Sequence, residues 1–531
     1  MRSLMPSRLL ATLLLGTACW GTALSAGAAS AQNILRVVPE ADLRVLDPVA
    51  VTVNLTRIHG IQIYESLFAW NDKFEPQPMM IESFDKAANG LSYTFTLRAG
   101  LKFHDGSTVT TKDVIASLNR WMKRDAMGRR MAASGAEFTA KDDRVLLLAL
   151  KQPFAFVEFS LGSGVGQLPV IMREKEAMTD PNTPVTEPIG SGPWKFNKAE
   201  WAPGAKTVYD KFADYKPRTE PTSGLAGAKL VKVDRMEWIV LPDNTTAANA
   251  LGRNEIDFLQ QPSSDVLPLL KRMRDVTIST AVLLDSQAWI RPNMLYPPFN
   301  NVKARQALAL SLSQTDYMMA FVGDSDRFKE CYAFFTCGGP FGTEVGSEPY
   351  RKPDLARARQ LLVESGYKGE TVYMLASNET ALSRSTFPVA VEQMKSIGFK
   401  VEVMNFDWGA TIARWIKKDK PGEGGWNLFP AGSPGAVLFH PIGNFYVDLS
   451  CGGTNGAGWP CDEEGEKLRL KLLDATDPVE RKTLLEAFHR RLWEYLPLIP
   501  AGQYQSFSAW RNNIEGVLKA PTLAYWNISK K

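Results

Sequence analysis

Residues 91–122 read LSYTFTLRAGLKFHDGSTVTTKDVIASLNRWM. Tyr93, Phe95 and Leu97 alternate with Thr94, Thr96 and Arg98, the period of a strand that is wet on one face. Ala99-Gly100 and His104-Asp105-Gly106 each supply a turn. Thr110 followed three residues later by Asp113 predicts a capping box. Val114, Leu118 and Trp121 then recur at helical spacing, so a helix is expected from about 111 to 122. The period switches from 2 to 3.6 within one turn of chain, which marks a mixed α/β protein.

The same grammar continues downstream. Residues 301–321 predict one helix ending before Gly323, and residues 353–365 predict another with Pro353 at its start and Gly366 past its end. Residues 389–397 read as helix, Gly398 breaks it, and 399–403 alternate as a strand. Asp477-Pro478 opens a last long helix with an apolar stripe of Leu484, Leu485, Phe488, Leu492 and Trp493, stopped by Pro497. His489 is expected on that helix's surface. Pro/Gly-rich connections at 181–194, 202–224, 296–301, 338–353 and 420–435 are candidate crossings between bodies.

A chain of 531 residues that is 45% hydrophobic and 22% charged buries large cores, and a single core rarely grows past roughly 300 residues, so two or three bodies are expected. A net charge of +4 is too small for the broad positive field of a nucleic-acid or anionic-lipid binder.

The N-terminus carries Arg2 and Arg8, an apolar stretch from Leu9 to Gly21, and small residues ending Ala29-Ser30-Ala31. This is the order of a secretory leader, with cleavage expected after Ala31. No later apolar run approaches the length of a membrane span. Past the leader lie four cysteines in two local pairs, Cys331 with Cys337 and Cys451 with Cys461. In an exported chain these predict two disulfides; zinc is the rival, although the usual C-x2-C knuckles are missing.

Eight short strings, in one order, carry a resemblance: Leu46-Asp47-Pro48; residues 64–68 (YESLF); 93–98 (YTFTLR); 102–106 (KFHDG) running into the 111–120 helix; 188–194 (PIGSGPW); 305–308 (RQAL); 358–362 (ARQLL) with Gly366-Tyr367; and 493–498 (WEYLPL). The sequence resembles the periplasmic solute-binding proteins of the oligopeptide, dipeptide and nickel ABC importers. The resemblance implies an α/β, bilobal periplasmic-binding-protein fold with a hinge, a discontinuous first lobe and an extra inserted domain. By analogy the first lobe is expected at 33–77, 186–288 and 499–531, the insert at 78–185 and the second lobe at 289–498. The implied function is that of a periplasmic receptor. It captures a small organic solute between its lobes and delivers it, as a monomer without cofactor or metal, to the transmembrane subunits of an ABC permease.

Ligand-binding positions follow from the same likeness. On the first lobe they are Asn54 and Arg57. Around the crossing into the second they are Trp289, Arg291 and Asn293, where Arg291 is an addition to the family's pattern and suggests a bidentate clamp on a ligand carboxylate. On the second lobe they are Asp407, Trp408, Trp426, Phe429, Pro430 and His440. Peptide-binding members hold the ligand's ammonium with an aspartate shortly after the tryptophan corresponding to Trp426, yet no acid occurs from Trp426 to Ala436. Free peptides recognised by their N-terminus are therefore not expected, unless Asp407 or Glu423 takes the aspartate's place. His59, His104, His440 and His489 are the only histidines, too few and too scattered for nickel.

No G-x-S-x-G, H-E-x-x-H or P-loop motif occurs. Two S-x-x-K strings, at 83–86 and 365–368, lack their S-D-N and K-T-G partners. A carboxylate pair set in space rather than in sequence keeps a secreted hydrolase as the alternative.

Overall fold

The stretch that opened the reading builds the centre of a four-stranded antiparallel sheet. Ser92–Leu97 pairs with Ile81–Lys86 on one side and Val145–Ala149 on the other, and Glu137–Ala140 adds the far edge. Tyr93, Phe95 and Leu97 point inward as the alternation requires. Thr111–Met122 is a helix, and Asp113 accepts from the Thr110 backbone in the expected capping box. The computed structural model describes residues 32–241, 243–377, 380–451 and 456–531, so the leader read from the sequence lies outside the described residues.

Two larger sheets carry the rest of the fold. The first has seven strands in the order Val276–Ser279, Ser508–Arg511, Phe258–Leu259, Ile34–Val38, Arg235–Ile239, Lys206–Lys211 and Trp194–Phe196. Within it Ile34–Val38 runs parallel to both of its neighbours. The second has six strands in the order Phe328–Lys329, Ile499–Tyr504, Ser286–Pro292, Leu428–Ser433, Thr371–Ser377 and Lys400–Phe406. There Thr371–Ser377 is parallel to Lys400–Phe406 and to Leu428–Ser433. All seven residues of Ser286–Pro292 are buried, as in a strand covered on both faces, although Ser286, Gln287 and Arg291 are polar.

The chain passes from the first sheet to the second between Ser279 and Ser286, and returns between Tyr504 and Ser508. Ile499–Tyr504 was expected with the first lobe, but it pairs with Ser286–Pro292 in the second sheet. The crossing back thus falls at 505–507 rather than at 499, and the outward crossing precedes 286 rather than 289. In both cases strand hydrogen bonds, invisible in local composition, decide the side.

Strings that carry the resemblance are joints between distant segments. Asp47 is wholly buried and takes a bidentate pair from Arg120 while accepting from the Val49, Ala50 and Val185 backbone. Such a pair is strong because every lone pair is used. His104 Nε2 donates to Gly192 O across 3.1 Å while its Nδ1 accepts from Gly190 N–H, and its backbone N–H donates to Gly190 O at 2.8 Å. Gly190 has no alternative there: a Cβ would sit 1.8 Å from the Ile63 carbonyl oxygen.

Several local expectations are revised. Residues 301–321 form two helices, Val302–Ser311 and Gln314–Val322, because Ser313 caps the second by accepting from Asp316 N–H. The next helix is Leu355–Glu364 with Asp354 as its cap, which leaves Pro353 outside. The helix expected at 389–397 begins much earlier, at Ala381, and contains Pro388. His489 is not on a surface: it is fully buried, with Nε2 accepting from Phe334 N–H and Nδ1 against Val345 O.

Candidate functional site

Sheet register shows which strand ends adjoin the two crossings between the sheets. In the first sheet the carboxyl end of Ile34–Val38 lies beside Leu259, Leu259 lies beside Ala509, and Ser508 lies beside Ser279. Both connections leave from that end. In the second sheet Ser433 lies beside Gln287, and Ser286 beside Tyr504. The carboxyl ends of the parallel strands in each sheet therefore lie at the crossings. Open α/β sheets bind ligands in the crevice outside such ends, where the strand order reverses.

The first rim is polar. Glu40 follows Ile34–Val38 by two residues, and its carboxylate accepts from Asn54 Nδ2 at 2.7 Å. Asn54 Oδ1 in turn accepts from the Arg57 guanidinium at 2.8 Å, whose other arm donates to Thr52 O at 2.6 Å. Asn54 and Arg57 stand on Asn54–Ile63, a helix that packs all but its first residue inward. Burial lowers Arg57 to about 10 and raises the Glu40 carboxyl above its usual range, with Asn54 and Arg57 opposing that rise. Gln260, one residue past Phe258–Leu259, accepts from the Tyr525 hydroxyl at 3.3 Å, and the Tyr525 backbone donates to Gln62. Glu40, Gln260 and Tyr525 were not anticipated from the sequence.

The second rim is aromatic. Asp407 ends Lys400–Phe406 and caps the helix Trp408–Trp415, accepting from Ala410 N–H at 2.8 Å. Trp408 is 41% exposed, the outermost of a ring of contacts running inward. Its centroid lies 6.4 Å from Phe429, Phe429 lies 5.9 Å from Trp289, and Trp289 lies 4.4 Å from Tyr446. Phe445 and Trp415 close the ring back onto Phe429. Phe429, Trp289 and Tyr446 are buried, so Trp408 is the face that this ring presents to solvent, an apolar area with a polar indole edge.

The remaining candidates lie in the interior. Arg291, read as a clamp for a ligand carboxylate, is 0% exposed and clamps backbone instead: Nε donates to Ala457 O, and one terminal nitrogen to Tyr446 O and Pro497 O. Asn293 donates to Trp426 O, and the Trp426 indole to Trp415 O, so both brace the loop before Leu428–Ser433. Pro430 is buried within that strand opposite Ile290. His440 is enclosed by Phe156, Phe159, Phe341 and Phe439, and burial lowers it to about 3, so it is neutral.

Among the described residues no cluster of His, Cys, Asp or Glu has the makings of a metal site, and no helix is long and apolar enough to cross a membrane. Cys331–Cys337 and Cys451–Cys461 are disulfides, with Cα atoms 6.0 Å and 4.6 Å apart, which removes the thiolates that zinc would need. A cavity of about 20 Å3 beside Lys229 and Trp526 is the size of one water, not of a solute.

Residues 75–443 match the family model for bacterial extracellular solute-binding proteins, family 5. The chain is 35% identical, over 95% of its length and 94% of the relative's, to a probable peptide ABC transporter periplasmic-binding protein, y4tO, of Sinorhizobium fredii. It is 24% identical to the glutathione-binding protein GsiB of Escherichia coli, covering 95% of each chain. Among solved structures it resembles a dipeptide-binding protein from Pseudoalteromonas in complex with Met-Leu, with TM-score 0.78, 22% identity, and 94% and 100% of the two chains covered. It also resembles AgaA of Agrobacterium tumefaciens in complex with agropinic acid, with TM-score 0.77, 20% identity, and 94% and 99% covered. These are binding proteins, and the hydrolase alternative finds no support among them. The family works in the periplasm or outside the cell, with a small solute and an ABC permease as partners. By its family model and its full-length relatives, the chain belongs to family 5 of the bacterial extracellular solute-binding proteins and is a substrate-binding receptor rather than an enzyme.

Proposed function

We propose that the receptor closes on a peptide-like organic solute held between the polar rim at Glu40, Asn54 and Arg57 and the aromatic rim at Asp407, Trp408 and Phe429. The observation that carries this is the register of the two sheets, which turns the carboxyl ends of both sets of parallel strands toward the two crossings. A solute that touches both rims stabilises the closed arrangement by its differential affinity for it, and closure is what a permease reads. The relatives' named ligands, glutathione, a dipeptide and agropinic acid, favour a solute with charged ends on a small skeleton. In this reading the leader is cut after Ala31 and the mature chain acts as a monomer.

The test is native mass spectrometry of the mature chain recovered from periplasmic extract, joined to small-angle scattering with and without the recovered solute. An intact small molecule on a single chain, and a smaller radius of gyration when it is present, are expected. A hydrolysed product, or a radius that ignores the solute, overturns the proposal.

A further inference from the structure

Glu40 is a carboxylate in want of a partner. Among the described residues its one side-chain hydrogen bond comes from Asn54, and the nearest opposing charge, Arg57, acts on it through space. Arg57 is turned away, spending its terminal nitrogens on Thr52 O and Asn54 Oδ1. Asn54 thus sits between the two charges, donating to one and accepting from the other. Burial raises the Tyr525 hydroxyl well above its usual range and the charge of Glu40 adds to the rise, while Gln62, which accepts from the Tyr525 backbone, is wholly buried with its Nε2 unpartnered. Glu40 is half-buried, so its carboxylate still reaches solvent, with no cation in contact to compete with an incoming one.

The opposite rim offers no substitute. Residues 426–436 contain no acid. Asp407 is committed to capping Trp408–Trp415 through Ala410 N–H. The exposed aromatic beside it is the Trp408 indole, which attracts a cation but does not neutralise it.

We infer that Glu40 is a subsite for a cationic nitrogen of the solute, its carboxylate aimed by Asn54 and Arg57 and walled by Tyr525. This rests on the reading of the two rims as the ligand cleft and names the chemistry that the first rim selects: a primary amine or its equivalent, held at the end of Ile34–Val38. Glu40 is then a contact residue for the solute, and Asn54 and Arg57 are positioning residues.

The test uses a tryptic casein digest as probe, offered untreated or after acetic anhydride has blocked its amines, to the mature wild-type chain and to Glu40→Gln and Glu40→Asp. Bound peptides are counted by native mass spectrometry. Glutamine keeps the acceptor for Asn54, so the fold is preserved and an unchanged melting temperature verifies it. Wild type should capture from the untreated digest and not from the blocked one. Glu40→Gln should capture about tenfold less or worse, the scale of a lost charge-assisted contact, and Glu40→Asp should recover part of the loss. Equal capture of blocked and free peptides, or undiminished capture by Glu40→Gln, overturns this inference and leaves the receptor reading standing. No capture from either digest by folded wild type defeats the peptide-like reading and this inference with it.

Discussion

Arg57 and Arg291 take the same guanidinium to nearly the same depth, 4% and 0% exposed, and burial lowers both to about 10. Their surroundings differ in kind. Arg291 gathers three backbone carbonyls from three distant segments, so it ties the second sheet to the loop at Ala457, the turn at Tyr446 and the approach to Ile499–Tyr504. Arg57 reaches one carbonyl and one side chain, both within five residues of itself, and through Asn54 it sets the aim of Glu40. A buried arginine is therefore not a ligand clamp by virtue of being buried. The partners decide: carbonyls from far apart make a tie, whereas a local side-chain relay through Asn54 to Glu40 is what the proposed positioning role of Arg57 rests on.

The hardest blow to this contrast is Arg291→Ala. Three buried carbonyls would lose their donor at about 1 to 3 kcal/mol each, so urea unfolding should show a loss of about 3 kcal/mol or more while affinity per folded molecule stays at the wild-type value. A variant that unfolds at the wild-type midpoint but binds weakly would return Arg291 to the ligand. Arg57→Lys sharpens the other half. Lysine keeps the charge but not the fork that grips Thr52 O and Asn54 together, so affinity should fall by about tenfold with a smaller stability loss, of about 1 kcal/mol. Calorimetric titration with unchanged affinity would remove Arg57 from the site.

Trp408→Ala tests the aromatic rim against the polar one. Because Trp408 stands 41% exposed at the edge of its ring, stability should hold, and the affinity loss should be about three- to tenfold, the scale of a single aromatic contact. An unaltered affinity would leave the first rim to bind alone. Mild acid is the gentlest probe, since it leaves both arginines charged. Burial depresses His59 and His440 to about 3, and His104 and His489 to about 4. The native chain therefore holds these rings neutral while the unfolded chain protonates them near 6.5. Below that pH the unfolded state binds more protons, so stability falls from about 6.5 downward toward about 4. A melting temperature that stays flat from pH 7 to 4.5 would mean that these rings meet water or an acid after all.

Local signals were legible where a segment makes its own case. The alternation of Tyr93, Phe95 and Leu97 and the Thr110–Asp113 box mark their strand and helix because both depend on neighbours within a few residues. Ser313 and Asp316 hold the same kind of cap, but an unbroken apolar pattern on either side hid the break that they make. Pro388 hid the first half of its helix for the opposite reason, as a breaker that the surrounding packing overrides. The site was legible only in part. Arg57 and Trp408 lie on segments that the family resemblance pointed to, whereas Glu40, Gln260 and Tyr525 come together from positions more than two hundred residues apart, with no mutual spacing to betray them. Arg291 misled because sequence reveals a charge but not the three carbonyls that consume it.

Ser508–Arg511 ties its sheet together across a long gap in sequence. It lies between Val276–Ser279 and Phe258–Leu259 and is bonded to both, so without it Val276–Ser279 has no partner in the sheet. The edge of the first sheet closes only after the chain has run through the whole of the second, which makes that pairing one of high sequence separation and slow to form.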